Sequence, residues 1–132
     1  VESRIKKNLI DINIISYDKQ VYLNYKNELI QVLSIIINNA IDALILNNIE
    51  NKKINIQVNK KEIIIEDNAK GISEDIIHKI FDPYFTTKDK KFGVCLGLYT
   101  SKIIMDNIVK GKIEVKNTNS GVKFTILIPW LS

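Results

Sequence analysis

Cysteine occurs once, at Cys95, so the chain cannot form an internal disulfide, which fits a reducing compartment. No uninterrupted apolar run approaches the roughly 20 residues that a membrane-spanning helix requires. No charged-then-apolar signal segment opens the chain either. These absences lead to the expectation of a soluble, cytoplasmic domain without membrane contact. Arginine is almost missing, and Arg4 is the only side chain that could fork onto a phosphate. The net charge of +4 comes from lysines spread along the sequence, which is a weak signal for nucleic acid, and none is expected as a partner. The tightest group, Lys88, Lys90 and Lys91, suits a local anionic ligand better than a long duplex.

What is present is a core. A hydrophobic share of 45% over 132 residues is enough for one compact domain and too little chain for two ordinary ones. Leu9 to Ser16 and Val21 to Tyr25 read as a strand pair turned by Tyr17 to Gln20. Leu29, Val32, Leu33, Ile36, Ala40, Ala43 and Leu44 recur at helical spacing, which predicts a helix from about Glu28 to Leu46 with Asn27 as its N-cap. Lys53 to Val58 and Glu62 to Glu66 form a second strand pair. Ser73 to about Lys79 reads as a short capped helix, residues 81–95 as a long loop, and Leu96 to about Val109 as a helix stopped by Gly111. Lys112 to Asn117 and Val122 to Pro129 close the chain as strands. Blocks of strands and helices joined by hairpins predict an α+β fold, a two-layer α/β sandwich with helices on one face of a mixed sheet.

Four stretches interrupt these patterns in a fixed order: Asn38 to Asp42, Asp67 to Ile72, Phe81 to Lys88, and Gly93 to Leu98. Asn39 lies on the flank of its helix, where an amide oxygen is a neutral hard ligand suited to Mg²⁺. A locally bonded Asn is the plainer alternative. Asp67 ends an Ile-rich strand and needs a partner there, such as the amino group and ring nitrogen of adenine. Ala69 and Gly71 are small enough for a flat base to approach, although a simple turn with Gly71 at positive φ is also open. Gly93 and Gly97 flank a helix start whose N–H groups can face phosphate, with Thr86, Thr87 and Lys88 near by. A loop hinge and a solvated lysine are the bland readings, and all four must hold together.

Together the four stretches resemble the ATP-binding catalytic domain of bacterial two-component sensor histidine kinases, in the superfamily with gyrase, the Hsp90 chaperone and the MutL ATPases. Gln31 to Leu44 is similar to the N box, Asp67 to Ile72 to the G1 box, Phe81 to Lys88 to the F box, and Gly93 to Leu98 to the G2 box. The Phe-Asp-Pro-Tyr-Phe-Thr-Thr-Lys string resembles histidine kinases and not their gyrase-like relatives. The resemblance implies a Bergerat-type sandwich that binds Mg-ATP. It implies Asn39 as the Mg²⁺ ligand, Asp67 as the adenine reader, and Ala69, Gly71 and Ile72 in the base pocket. Thr87 and the catalytic Lys88 would belong to a mobile ATP lid, with Gly93, Leu96, Gly97 and Leu98 shaping its hinge and the phosphate cradle.

The phosphate acceptor would be a histidine on an upstream dimerisation domain, with a response regulator further along. His78 lacks the acidic neighbour of a typical acceptor and reads as structural. A fragment without the dimerisation helices is expected to bind nucleotide and autophosphorylate little, and its lid, Phe85 to Cys95, is expected to be disordered without ligand. A membrane-anchored parent is compatible with all of this. Two positions depart from the pattern. Ile35 stands where histidine kinases carry a second Asn and gyrase-like ATPases a Glu, and Cys95 stands where the G2 box has a Gly. They motivate an alternative, a degenerate interaction module of the same fold. A third reading, a serine kinase acting on anti-sigma antagonists, is disfavoured by the Thr-Thr-Lys string.

Overall fold

The computed structural model describes residues 2–16, 25–59, 61–83 and 97–128. Among them a five-stranded mixed sheet runs in the order β1-β2-β3-β5-β4. The strands are β1 (Asp11–Ser16), β2 (Lys53–Val58), β3 (Glu62–Asp67), β4 (Lys112–Asn117) and β5 (Val122–Leu127). β1 lies parallel to β2, and every other pairing is antiparallel. The strand period of two explains the two faces. Ile54, Ile56, Ile63, Ile65, Val122, Phe124 and Ile126 point into the core, while Lys53, Asn55 and Gln57 are exposed on the other side.

The core face is covered by α2 (Lys26–Leu46), whose Leu29, Val32, Ile36, Ala40, Ile41 and Leu44 are buried at helical spacing. With 21 residues, including an 18-residue window of mean hydropathy 2.0, α2 is long and apolar enough to cross a membrane by length and composition. Uninterrupted runs do not reveal this, and the buried stripe accounts for that composition by packing on the sheet. A second helical segment, α3 (Leu98–Ile103), passes directly into a π-helical stretch, Ile104–Val109, with Leu98, Ser101, Ile104, Met105 and Val109 buried. The short α1 (Glu2–Lys7), which the periodicity does not reveal, is joined to α2 by an ion pair between Arg4 and Asp42. Arg4 Nη1 also donates to Asn38 Oδ1 at 2.8 Å.

Several expectations need correction. α2 starts at Lys26 behind Tyr25, so Tyr25 and not Asn27 is its N-cap residue. Tyr25 therefore belongs to the helix start, and the rest of the strand expected at Val21 to Tyr25 lies outside the described residues. Ser73 to Lys79 is a chain of turns and not a regular helix. Ile76 and Ile77 N–H both bond Ser73 O, but Lys79 N–H bonds Ile76 O in a tighter i, i+3 turn. Few residues are available to propagate a nucleus before Pro83, which disfavours helix in the residue ahead of it. The left-handed stop after the last helix is Lys110, at φ 64°, and not Gly111. Gly111 is required for a different reason, because a Cβ there would stand 2.1 Å from Leu127 O.

Candidate functional site

A pocket of about 190 Å³ opens where the C-terminal half of α2 meets the end of β3. Asn39, Ala40 and Ala43 of α2 and its C-cap residue Asn47 line it, with Asp67, Ala69, Gly71 and Ile72 from β3 and the loop after it, Leu98 from α3, and Val122 and Phe124 from β5. Asp67 reaches the pocket because it shares the inward parity of Ile63 and Ile65, so the strand delivers a carboxylate to the core face. It is only 6% exposed. Burial pushes its carboxyl up from an ordinary 3.8 to about 6, against the opposing hydrogen bonds from the Ala69 and Val122 backbone, and nearby Glu66 adds to the rise. The Ala69 N–H donates to Oδ1 at 2.9 Å. A desolvated carboxylate in a small apolar slot is suited to a neutral hydrogen-bond donor on a flat ligand.

The loop after Asp67 turns back through two successive left-handed residues, Lys70 at φ 72° and Gly71 at φ 88°. The positive φ expected of Gly71 is present. The turn between β4 and β5 supports this loop closely. Lys70 N–H donates to Ser120 O at 3.1 Å, and a Cβ on Gly121 would lie 2.0 Å from Asp67 O. On the α2 side, Asn47 Nδ2 donates to Ala69 O at 3.3 Å.

Asn39 is 7% exposed, and its Nδ2 donates to Ile35 O at 2.8 Å, which fixes the amide and its carbonyl oxygen at the pocket wall. The local backbone bond and the pocket position thus coexist. Asp42, three places after Asn39, pairs instead with Arg4, as Asn38 does, and turns to α1. Ile35 packs toward the start of α3, where a Cβ on Gly97 would stand 3.3 Å from Ile35 Cγ2. Gly97 takes φ 78° as the N-cap of α3, a conformation that favours glycine.

Six expected site residues, Asn39, Asp67, Ala69, Gly71, Ile72 and Leu98, therefore surround one pocket. Gly97 sits next to it at the helix start. Thr87, Lys88, Gly93 and Leu96 lie outside the described residues, as do Cys95 and the expected lid. His78 is exposed. The sequence reading missed Ala43 and Asn47 as lining residues, although Ala43 stands four places after Asn39 on the same helical flank and Asn47 caps that helix a further turn on, a spacing that would have found them. Val122 and Phe124 carried no such local signal, because β5 reaches the site only through its pairing with β3. Among the described residues no group of three His, Cys, Asp or Glu side chains could hold a metal. A cation here would have to be one that takes most of its oxygens from a ligand and water, with an amide oxygen such as that of Asn39 completing the set.

Residues 24–132 match the family described as histidine kinase-, DNA gyrase B-, and HSP90-like ATPase. The signal transduction histidine-protein kinase AtoS of Escherichia coli is 39% identical over 114 residues, which cover 81% of this chain and 18% of AtoS. A probable C4-dicarboxylate sensor kinase of Halalkalibacterium halodurans is 31% identical over 108 residues, covering 78% of this chain and 20% of that protein. The chain thus spans about a fifth of the length of these curated relatives. Among solved structures, the nucleotide-free catalytic domain of histidine kinase ThkA superposes with a TM-score of 0.78 at 31% identity, covering 97% of this chain and 84% of that one. ThkA in complex with the response regulator TrrA gives a TM-score of 0.74 at 28% identity, covering 97% of this chain and 36% of that one. On the motif order, the sheet and these likenesses, the chain belongs to the histidine kinase-, DNA gyrase B- and HSP90-like ATPases, and within them to the ATP-binding catalytic domains of sensor histidine kinases.

Proposed function

We propose that the chain, as a single domain, binds Mg-ATP in the pocket at Asp67 and donates the γ-phosphate to a histidine on a separate upstream dimerisation domain, from which a response regulator takes it. The domain would work in the cytoplasm and would itself contact neither membrane nor nucleic acid. The observation that carries this reading is the buried carboxylate at the end of β3, set among small and apolar side chains. Asp67 would accept a hydrogen bond from the exocyclic amine of adenine while Ala69 N–H holds the carboxylate in place. Ala69, Ile72 and Leu98 would enclose the base and keep water from that bond.

Asn39 has the chemistry for Mg²⁺, a neutral oxygen donor at the pocket wall with its amide nitrogen fixed on Ile35 O. When bound, that ion neutralises charge on the phosphates. Gly97 and the N–H groups at the start of α3, with Thr87 and Lys88, would hold the phosphate chain in line. Phosphoryl transfer of this kind is largely positioning and charge neutralisation, so no protein nucleophile or general base is required of this domain. The test is transfer from γ-labelled ATP to a supplied dimerisation domain. Acid-labile label on that domain is expected. Acid-stable label would indicate a hydroxyl acceptor and overturn the histidine reading.

One observation favours a second reading, a non-catalytic module of the same fold. Ile35 presents an apolar side chain to Gly97, at the end of the pocket where phosphates would lie. Replacing Ile35 by Asn together with Cys95 by Gly separates the two readings: a large gain in nucleotide affinity would mark a lost site, and little change would leave the kinase reading in place.

A further inference from the structure

Asn117 is the last residue of β4 and lies outside all four motifs. Its amide grips the backbone of Ile72 at both polar atoms. Asn117 Oδ1 accepts from Ile72 N–H at 2.8 Å, and Nδ2 donates to Ile72 O at 2.7 Å. Nδ2 also lies 3.1 Å from Glu74 Oε1. The pair of bonds to Ile72 is what a neighbouring strand would make, built here by one side chain across 45 residues of sequence. β3 has already ended at Asp67, so the ladder does not extend to Ile72.

The segment held in this way carries one strained residue, because Lys70 lies at positive φ, which a non-glycine residue resists, while Gly71 after it takes that region freely. A Cβ on Gly71 would lie 2.9 Å from Asn117 Oδ1 and 3.3 Å from Gly121 O, so a side chain there would have to displace the Asn117 amide. The asparagine and the glycine therefore fit each other, and the glycine admits the clamp as well as the turn. Ile72 is in turn a pocket wall, sharing the lining with Asn39 and Ala43 of α2. Moving Ile72 changes the width of the slot that leads to Asp67.

We propose that Asn117 is a positioning residue for base recognition, holding Ile72 at the spacing from α2 that admits a flat purine to the Asp67 carboxylate. This rests on the reading of the pocket as an ATP site. The experiment uses the 132-residue chain with Asn117→Ala and Asn117→Asp, followed by amide hydrogen exchange and by titration with adenosine diphosphate, with and without Mg²⁺. Asn117→Ala is expected to speed exchange of the Ile72 amide tenfold or more while leaving Ile65 in β3 unchanged. It is expected to weaken adenosine diphosphate about tenfold, equivalent to about 1.4 kcal/mol. The loss should be the same with and without Mg²⁺, because the change is at the base end.

Asn117→Asp keeps the acceptor for Ile72 N–H but turns a carboxylate oxygen toward Ile72 O and Glu74 Oε1. It should therefore loosen Ile72 and weaken adenosine diphosphate at least as much as alanine does, and it carries the test if the alanine variant does not fold. A variant with a lowered melting temperature but unaltered Ile72 exchange and affinity would overturn the proposal, since a merely structural residue behaves that way. Wild-type chain that binds no nucleotide at millimolar concentration would remove the ATP reading and this one with it. Wild-type binding matched by Asn117→Ala removes this one alone.

Discussion

Replacing Asp67 by Asn should make the ligand-free domain more stable while it removes base recognition. The carboxyl is raised from 3.8 to about 6 chiefly by burial. A rise from 3.8 to about 6 corresponds to about 3 kcal/mol held against the charged form at neutral pH. A raised acid contributes stability that is fully present below the unfolded value and is lost as pH rises through the folded one. Between those two values the wild type should therefore lose stability with increasing pH on account of this residue. The asparagine side chain of the variant carries no charge at any pH. It would keep one oxygen for the Ala69 N–H and lose the second acceptor, at a cost of about 1 kcal/mol.

The net gain near pH 7.5 is then about 2 kcal/mol, or roughly 8 °C in melting temperature for a domain of this size. Thermal unfolding of both proteins from pH 4 to pH 8 measures it. The gain should vanish and turn into a small loss, of up to about 1 kcal/mol, as pH falls to 4, where the wild-type carboxyl is itself largely neutral and only the lost acceptor remains. A destabilised Asp67→Asn protein at pH 7.5, or a difference that does not vary with pH, would refute the reasoning that burial sets this residue's cost.

Other perturbations test the supports of the pocket. Gly121→Ala places a methyl 2.0 Å from Asp67 O, so it must displace the turn between β4 and β5. A loss of about 3 kcal/mol or more is expected in urea unfolding. Met105→Ala empties a fully buried position in the π-helical stretch, and a loss of about 2–5 kcal/mol should appear in the same assay. Arg4→Ala removes an ion pair whose members are 37% and 32% exposed, so the stability change should stay at or below about 1 kcal/mol and diminish further in high salt. Its local effect should be larger, with amide exchange of α1 accelerating while α2 keeps its protection.

The elements that the sequence reveals are those in which a single period controls burial. β2, β3, β4, β5 and α2 begin and end within two residues of expectation, because alternation or helical spacing persists along each. The turns from Ser73 to Lys79 carry the same cap and acidic first turn as a helix, and only the tighter bonding after Ile76 separates the two. In the site, Asp67 and Gly71 are legible because strand parity and a required positive φ are local properties. Asn117 is not, because its importance arises from Ile72, 45 residues away in sequence and adjacent only once β4 has paired with β5. Ile35 was legible as a missing polar group, but its contact with the Gly97 turn required the packing of α2 against α3.

The central claim is that the pocket at Asp67 is a nucleotide site, and calorimetric titration with a non-hydrolysable ATP analogue and Mg²⁺ tests it most directly. The wild-type chain should give saturable one-to-one heat, and a folded Asp67→Asn chain should give none. No heat from the wild type at millimolar nucleotide, or equal heats from both proteins, would contradict it.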